Sequence, residues 1–130
     1  MDKTNIKLIS PLKLIHIEDF SKSRVEWLRE KILKEGIWTR PLAVDKDNYL
    51  VMDGQHRMEV ALQLSLKLIP VVFFSYEETD ISSLRLEFEF DWKMVIERAL
   101  NKNPYPYKTV HHNFPDGSLP DCNFLLEELK

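Results

Sequence analysis

Cysteine is nearly absent: Cys122 is the only one in 130 residues. A single thiol forms no intrachain disulfide and builds no thiolate-rich zinc site. Glycine is scarce too, with three in the chain, which leaves little room for flexible linkers. Long apolar runs are missing. The longest, Leu68 to Phe74, contains Pro70 and is far too short to span a bilayer. The opening MDKTNIKLISPLKL lacks the unbroken apolar core of a signal peptide. A cytoplasmic protein with no membrane partner is the expectation. There is no basic excess either: 18 Lys and Arg against 21 Asp and Glu give a net charge of -3 and a pI near 5.8. That balance argues against nucleic acid as a partner, although net charge says little about one cleft. What remains is ordinary globular composition, 44% hydrophobic and 30% charged, over a length that suits one domain, residues 1–130. Nothing in it bears on oligomeric state.

Periodicity supplies the elements. Leu12, Leu14 and Ile15 to Ile17 read as an early strand. In SKSRVEWLREKILKEG, Val25, Leu28 and Ile32 share a helical face, Ser21 or Ser23 can cap the start, and Gly36 suits the end. RPLAVDKDNYLVMDG reads as two short strands around an Asp45–Asn48 turn. Met58, Ala61, Leu62 and Ser65 then form a helical face, and KLIPVVFFSY is a buried strand. Leu84, Leu86, Phe88 and Phe90 alternate with charged residues, which fits a half-buried strand, with helix as the alternative. Trp92, Val95, Ile96 and Ala99 make the stripe of the next helix. Residues 102–121, punctuated by prolines, look irregular, and FLLEEL closes the chain as a short strand or helical turn. Trp27, Trp38 and Trp92 are expected in the core. The fold class is α+β (mixed α/β): a small mixed sheet with helices packed on it.

The stretch VMDGQHRMEVALQL carries the chemistry. An apolar strand runs through Asp53-Gly54 into a helix whose first N–H groups lack partners and whose dipole is positive at that end. Such a corner suits anions, phosphates above all. Gly54 lets a phosphate approach the backbone, and His56 and Arg57 add donors and positive charge. Asp53 has three possible uses: capping the helix, holding a metal, or accepting a proton. The same residues also fit ordinary turn chemistry with a solvated His-Arg pair. Adjacent His111 and His112 do not make a transition-metal site, since neighbouring side chains rarely reach one ion.

From about Pro11 to Tyr76 the chain resembles the ParB/sulfiredoxin superfamily, and most closely its free L-serine kinase branch, which phosphorylates the hydroxyl of L-serine. Those enzymes carry an Asp-Gly-x-His-Arg corner, matched here by Asp53, Gly54, His56 and Arg57, with Gln55 between. Sulfiredoxins place a cysteine where Gln55 stands, and chromosome-partition ParB proteins place Gly-Glu-Arg-Arg at the corner. The resemblance implies a ParB/sulfiredoxin-like fold with a nucleotide-binding core at about 11–76 and a substrate-pocket segment at about 104–130. It implies phosphates of ATP or ADP on Gly54, Gln55, His56 and Arg57, with Arg40 of WTRP as a further phosphate contact. It implies magnesium arriving with the nucleotide and held by Asp53, and Glu18 as the base that activates the acceptor hydroxyl. The family's tail motif, Pro-Lys-Thr-Thr-Arg-His, is represented by Tyr107 to His112. Lys108, Thr109 and His112 match it, whereas Tyr107, Val110 and His111 depart from it. Lys108, Thr109, His111 and His112 are therefore the implied contacts to a small hydroxylated amino acid. The long region that archaeal serine kinases insert before this tail is replaced here by residues 77–103. The competing expectation is a non-catalytic ParB-like nucleotide-binding, regulatory module acting through a protein or DNA partner.

Overall fold

Alternate residues of the central strands face two different cores. Leu42, Val44, Val51, Ile69 and Val71 point into one, and Ala43, Leu50, Met52, Val72 and Phe74 into the other. Strand side chains alternate between faces, so strands buried on both sides read as continuous apolar runs. The computed structural model describes residues 5–115 and 119–130. Residues 1–4 of the expected domain and 116–118 of the expected tail segment lie outside them.

In chain order, β1 (Ile6–Ile9) is followed by a 3-10 turn at Pro11–Lys13, β2 (Ile15–His16), α1 (Lys22–Glu35) and β3 (Ile37–Trp38). Next come β4 (Leu42–Asp45), β5 (Leu50–Asp53), α2 (Gln55–Gln63) and β6 (Ile69–Phe74). The remainder comprises β7 (Asp80–Ser83), α3 (Trp92–Leu100), β8 (Val110–Asn113), β9 (Phe124–Leu125) and α4 (Leu126–Leu129). Five strands form a mixed sheet in the order β1-β6-β4-β5-β2. The helices α1 and α2 cover one face together with Trp38 and the α4 residues Leu126 and Leu129, while α3 covers the other. This is the expected α+β class. Among the described residues, no helix is long and apolar enough to cross a membrane.

Helix α1 begins and ends as its sequence dictates. The Ser21 hydroxyl accepts from the Arg24 N–H at 3.3 Å, and Gly36, at φ 69°, donates its N–H to the Ile32 carbonyl at 2.8 Å. Val25 and Ile32 are buried as expected.

Four expectations need correction. A strand at Ile6–Ile9 was not foreseen, and of the early strand expected at Leu12 to Ile17 only Ile15–His16 forms, because Pro11 starts a 3-10 turn capped by Ser10. The Leu84–Phe90 segment is neither strand nor helix. The Ser83 hydroxyl accepts from the Arg85 N–H, and the Arg85 guanidinium donates to the Tyr107 carbonyl, which turns the chain away from a ladder. Leu86 is left fully exposed, whereas Phe88 and Phe90 pack on Tyr105. Strand β8 runs through the region expected to be irregular and pairs antiparallel with β7. Trp38 is buried and Trp92 packs on a core cluster, but Trp27 is 60% exposed, because it projects away from the Val25–Leu28–Ile32 stripe.

Candidate active site

The corner between β5 and α2 depends on Gly54. Its φ of 112° is open to glycine and strained for other residues, and a Cβ there would lie 2.7 Å from Cγ of buried Leu42. Helix α2 has no side-chain cap, so Asp53 does not serve that role; its side chain is exposed at the strand end. The first-turn N–H groups are left to whatever enters the adjoining cavity.

That cavity, of about 350 Å³, is lined by Asp53, Gly54, Gln55, His56 and Arg57 on one side and by Glu18, Tyr107, Lys108 and Val110 on another. The His56 Nε2 accepts the Ser21 N–H at 3.0 Å, which leaves the proton of the neutral ring on Nδ1. Burial, then the positive charges of Arg24 and Arg57, hold the His56 imidazole below its ordinary range. His56 thus brings a donor more than a charge. Arg57 brings the charge. Burial pushes its guanidinium down from its usual value while Asp53 opposes that shift, and Nη1 is enclosed with no hydrogen-bond partner among the described residues. A buried, unpartnered guanidinium nitrogen costs stability unless an anion meets it.

Glu18 lies across the cavity. Its Oε1 accepts the Lys108 N–H at 2.9 Å, and its Oε2 accepts the Thr109 and Val110 N–H groups at 3.0 and 2.9 Å. Lys108 has φ 57°, so the backbone curls three N–H groups around one carboxylate, an anion-binding nest. Two carboxylate oxygens offer about four acceptor positions. With three taken, Oε1 keeps one free. Next to Glu18, residues 17 to 19 pair with Tyr105: Tyr105 N–H donates to the Ile17 carbonyl and Asp19 N–H to the Tyr105 carbonyl.

A smaller cavity of about 190 Å³ adjoins the first, sharing Met52, Asp53 and Val110 and adding His111, His112 and Phe114. His112 Nε2 faces the Tyr76 hydroxyl at 3.0 Å, and its ring stacks on Phe114. Burial drives the His112 imidazole down to about 3 and pushes the Tyr76 phenol up, so the phenol donates and the ring accepts.

Seven residues singled out in the sequence, Glu18, Asp53, Gly54, Gln55, His56, Arg57 and Lys108, thus line one cavity. His111 and His112 line the second, with Asp53 between the two. Arg40 lines neither; it is exposed and near enough to repel Arg57. Thr109 is buried, its hydroxyl spent on the Pro106 carbonyl. The Gln55 side chain is buried and turned away, onto the Val51 carbonyl. Arg24, Trp27 and Tyr107 line the cavity without having been expected there. For Trp27 the signal was present: it lies off the apolar stripe of its helix. Among the described residues, no group of three or more His, Cys, Asp or Glu side chains could hold a metal.

No family model matches the chain. An ATP-dependent L-serine kinase from Staphylothermus marinus is 33% identical over 78 residues, which is 57% of this chain and 31% of that protein. The chain therefore spans about a third of the length of this curated relative. Among solved structures, free serine kinase in complex with AMP superposes with a TM-score of 0.87 at 14% identity, covering 97% of this chain and 94% of that one. A glutamate-to-alanine variant of free serine kinase in complex with ADP gives 0.88 at 14% identity, over 99% and 95%. The fold is that of the free serine kinases, and the sequence is similar to that branch as well.

Proposed function

We propose that this domain is a small-molecule kinase that moves the terminal phosphoryl group of ATP or ADP to the hydroxyl of a free amino acid, giving O-phospho-L-serine from L-serine. One observation carries the reading. A carboxylate with a free acceptor position and an uncapped helix start with an unpartnered buried guanidinium line the same cavity. The nucleotide-bound free serine kinases of the same fold and the curated L-serine kinase support it.

In this mechanism the phosphates lie over Gly54 to Arg57. Backbone N–H groups, His56 Nδ1–H and Arg57 Nη1 bind them and stabilise charge that develops in transfer. Trp27 and Leu28 offer an apolar wall to the nucleoside. The acceptor sits in the smaller cavity beside Asp53, with His111 near its carboxylate. A histidine there holds a carboxylate more weakly than arginine, and only when charged. Glu18 takes the proton as the acceptor oxygen bonds to the terminal phosphorus. The bond from that phosphorus to the bridging oxygen breaks, and the nucleotide leaves one phosphate shorter. Magnesium would neutralise phosphate charge. Exposed Asp53 is the carboxylate placed to hold an ion that phosphates and water mostly coordinate, which suits a site without a protein cage.

Phosphorus NMR tests this directly, with magnesium, ADP or ATP, and L-serine, L-threonine or homoserine as acceptor. A new phosphomonoester signal that needs both acceptor and Glu18, and vanishes in Glu18→Gln, is the expected result. Nucleotide binding without transfer to any acceptor would instead identify a non-catalytic nucleotide-binding module. The commitment of Glu18 to three backbone N–H groups favours that second reading.

A further inference from the structure

Beneath the corner lies a half-buried chain of polar side chains, of which Gln55 alone also lines a cavity. Gln55 donates its amide N–H to the Val51 carbonyl at 2.6 Å. That carbonyl can only accept, so the amide oxygen of Gln55 is the atom that faces His16 Nδ1, at 2.5 Å. The oxygen can only accept as well, so Nδ1 carries a proton. On the other side of the ring, His16 Nε2 meets Glu59 Oε2 at 2.8 Å. An ionised carboxylate only accepts, so Nε2 is the donor in that contact. The arrangement is satisfied by a doubly protonated His16 between two acceptors. Strand β2 supplies His16, whose backbone pairs with Val51 of β5, and α2 supplies Gln55 and Glu59 one turn apart.

We propose that His16 is a positioning residue for the phosphate corner: its doubly protonated ring, held by Glu59, fixes Gln55 and with it the first turn of α2. The role rests on the reading of that corner as a phosphate site. Gln55 is the first helical residue after Gly54, so the anchor at its side chain sets the direction of the N–H groups that open onto the cavity. When the ring gives up a proton, the Glu59 carboxylate keeps the Nε2–H, and the bare Nδ1 faces the Gln55 amide oxygen, two acceptors with no hydrogen between them. Gln55 then loses its outer anchor. Around His16 also lie the Phe20 ring, 5.1 Å from it between centroids, and His56, whose imidazole the His16 charge pushes down.

The test uses inorganic tripolyphosphate and magnesium-ADP as probes, with affinity measured calorimetrically from about pH 5.5 to 9. Glu59→Gln is the informative variant. Its amide can donate to Nε2 of a neutral ring while Nδ1–H still donates to Gln55, so the anchor survives deprotonation. Relative to Glu59→Gln, the wild-type protein should lose about tenfold in affinity toward the alkaline end of that range. Titration of the probes is common to both proteins and cancels in the ratio, whereas His56, which His16 influences, is followed separately by proton NMR. His16→Leu should bind about tenfold more weakly at the acid end of the range, with the KM for the amino acid unchanged. Parallel profiles for wild type and Glu59→Gln, or wild-type affinity in His16→Leu, would overturn the role. Divergent profiles without phosphoryl transfer would uphold the positioning and sink only the kinase. A folded protein that binds neither probe at any pH would remove the phosphate reading of the corner and this role with it.

Discussion

The corner at residues 50–63 is shaped by neighbours close in sequence and braced by His16 and Ser21, 35 to 43 residues away, whereas the tail's Lys108–Val110 turn closes on Glu18, 90 to 92 residues away. In the corner, Gln55 reaches back four residues to Val51, Met58 N–H bonds the Gly54 carbonyl, and Gly54 packs on Leu42 of the adjacent strand. In the tail, Lys108 to Val110 have backbone N–H groups that converge on one distant carboxylate. One wall is stiff because local geometry dictates it. In the other, the turn at Lys108 to Val110 closes on a single distant side chain, and that side chain is the proposed base.

The contrast can be broken from the tail side first. Glu18→Gln should lower phosphoryl transfer about a thousandfold or more, the size expected on losing a general base. It should also raise amide exchange at Lys108, Thr109 and Val110, because an amide NH2 cannot accept where a carboxylate oxygen did. Unchanged exchange with lost turnover would assign Glu18 to chemistry alone. From the corner side, Gly54→Ala forces a Cβ against Leu42 at a positive φ, and should cost about 2–4 kcal/mol in urea unfolding. Exchange at residues 108–110 should stay native-like in that variant where it folds.

Arg57→Met separates binding from stability. It should weaken tripolyphosphate affinity by about 10- to 100-fold, the worth of a charged hydrogen bond. Its unfolding free energy should hold or rise, because a guanidinium whose Nη1 is enclosed without a hydrogen-bond partner among the described residues is replaced by an apolar side chain. A marked drop in stability would show that Arg57 has a partner in the free protein. The smallest effect concerns acid. In the unfolded chain His112 takes a proton near the ordinary imidazole value, whereas in the fold it does so only at about 3. The unfolded state therefore binds more protons between those values, and the stability gained from a neutral His112 is complete above about pH 6.5 and lost as pH falls. Urea titrations should show a loss of about 1 kcal/mol between pH 7 and 5, discounted for a ring that is half-buried, and His112→Asn should remove that part of the slope.

The same division explains what the sequence revealed. An apolar strand, Asp-Gly and a helical repeat all fall within residues 51 to 64, so the corner was legible from the residues themselves. Glu18 was not: by residue type it is an acid at a strand end, and only resemblance singled it out. Nothing local marks its three N–H partners. Strand β8 was missed because Val-His-His-Asn carries no apolar alternation and prolines surround it. The Leu84–Phe90 alternation is a real strand pattern overruled by the Ser83 and Arg85 hydrogen bonds. Trp27 was assigned to the core by its type, against its position on the helix. His16 carried no sign of its role, since Gln55 and Glu59 become its neighbours only when β2 pairs with β5.

The Glu18 tie also orders assembly in time. Joining residues so far apart closes a long loop, and that entropy is lost before the contact repays it. During refolding the phosphate cradle should therefore be complete while the opposite wall is still loose. Tripolyphosphate added early would find its site, and an amino acid would have to wait.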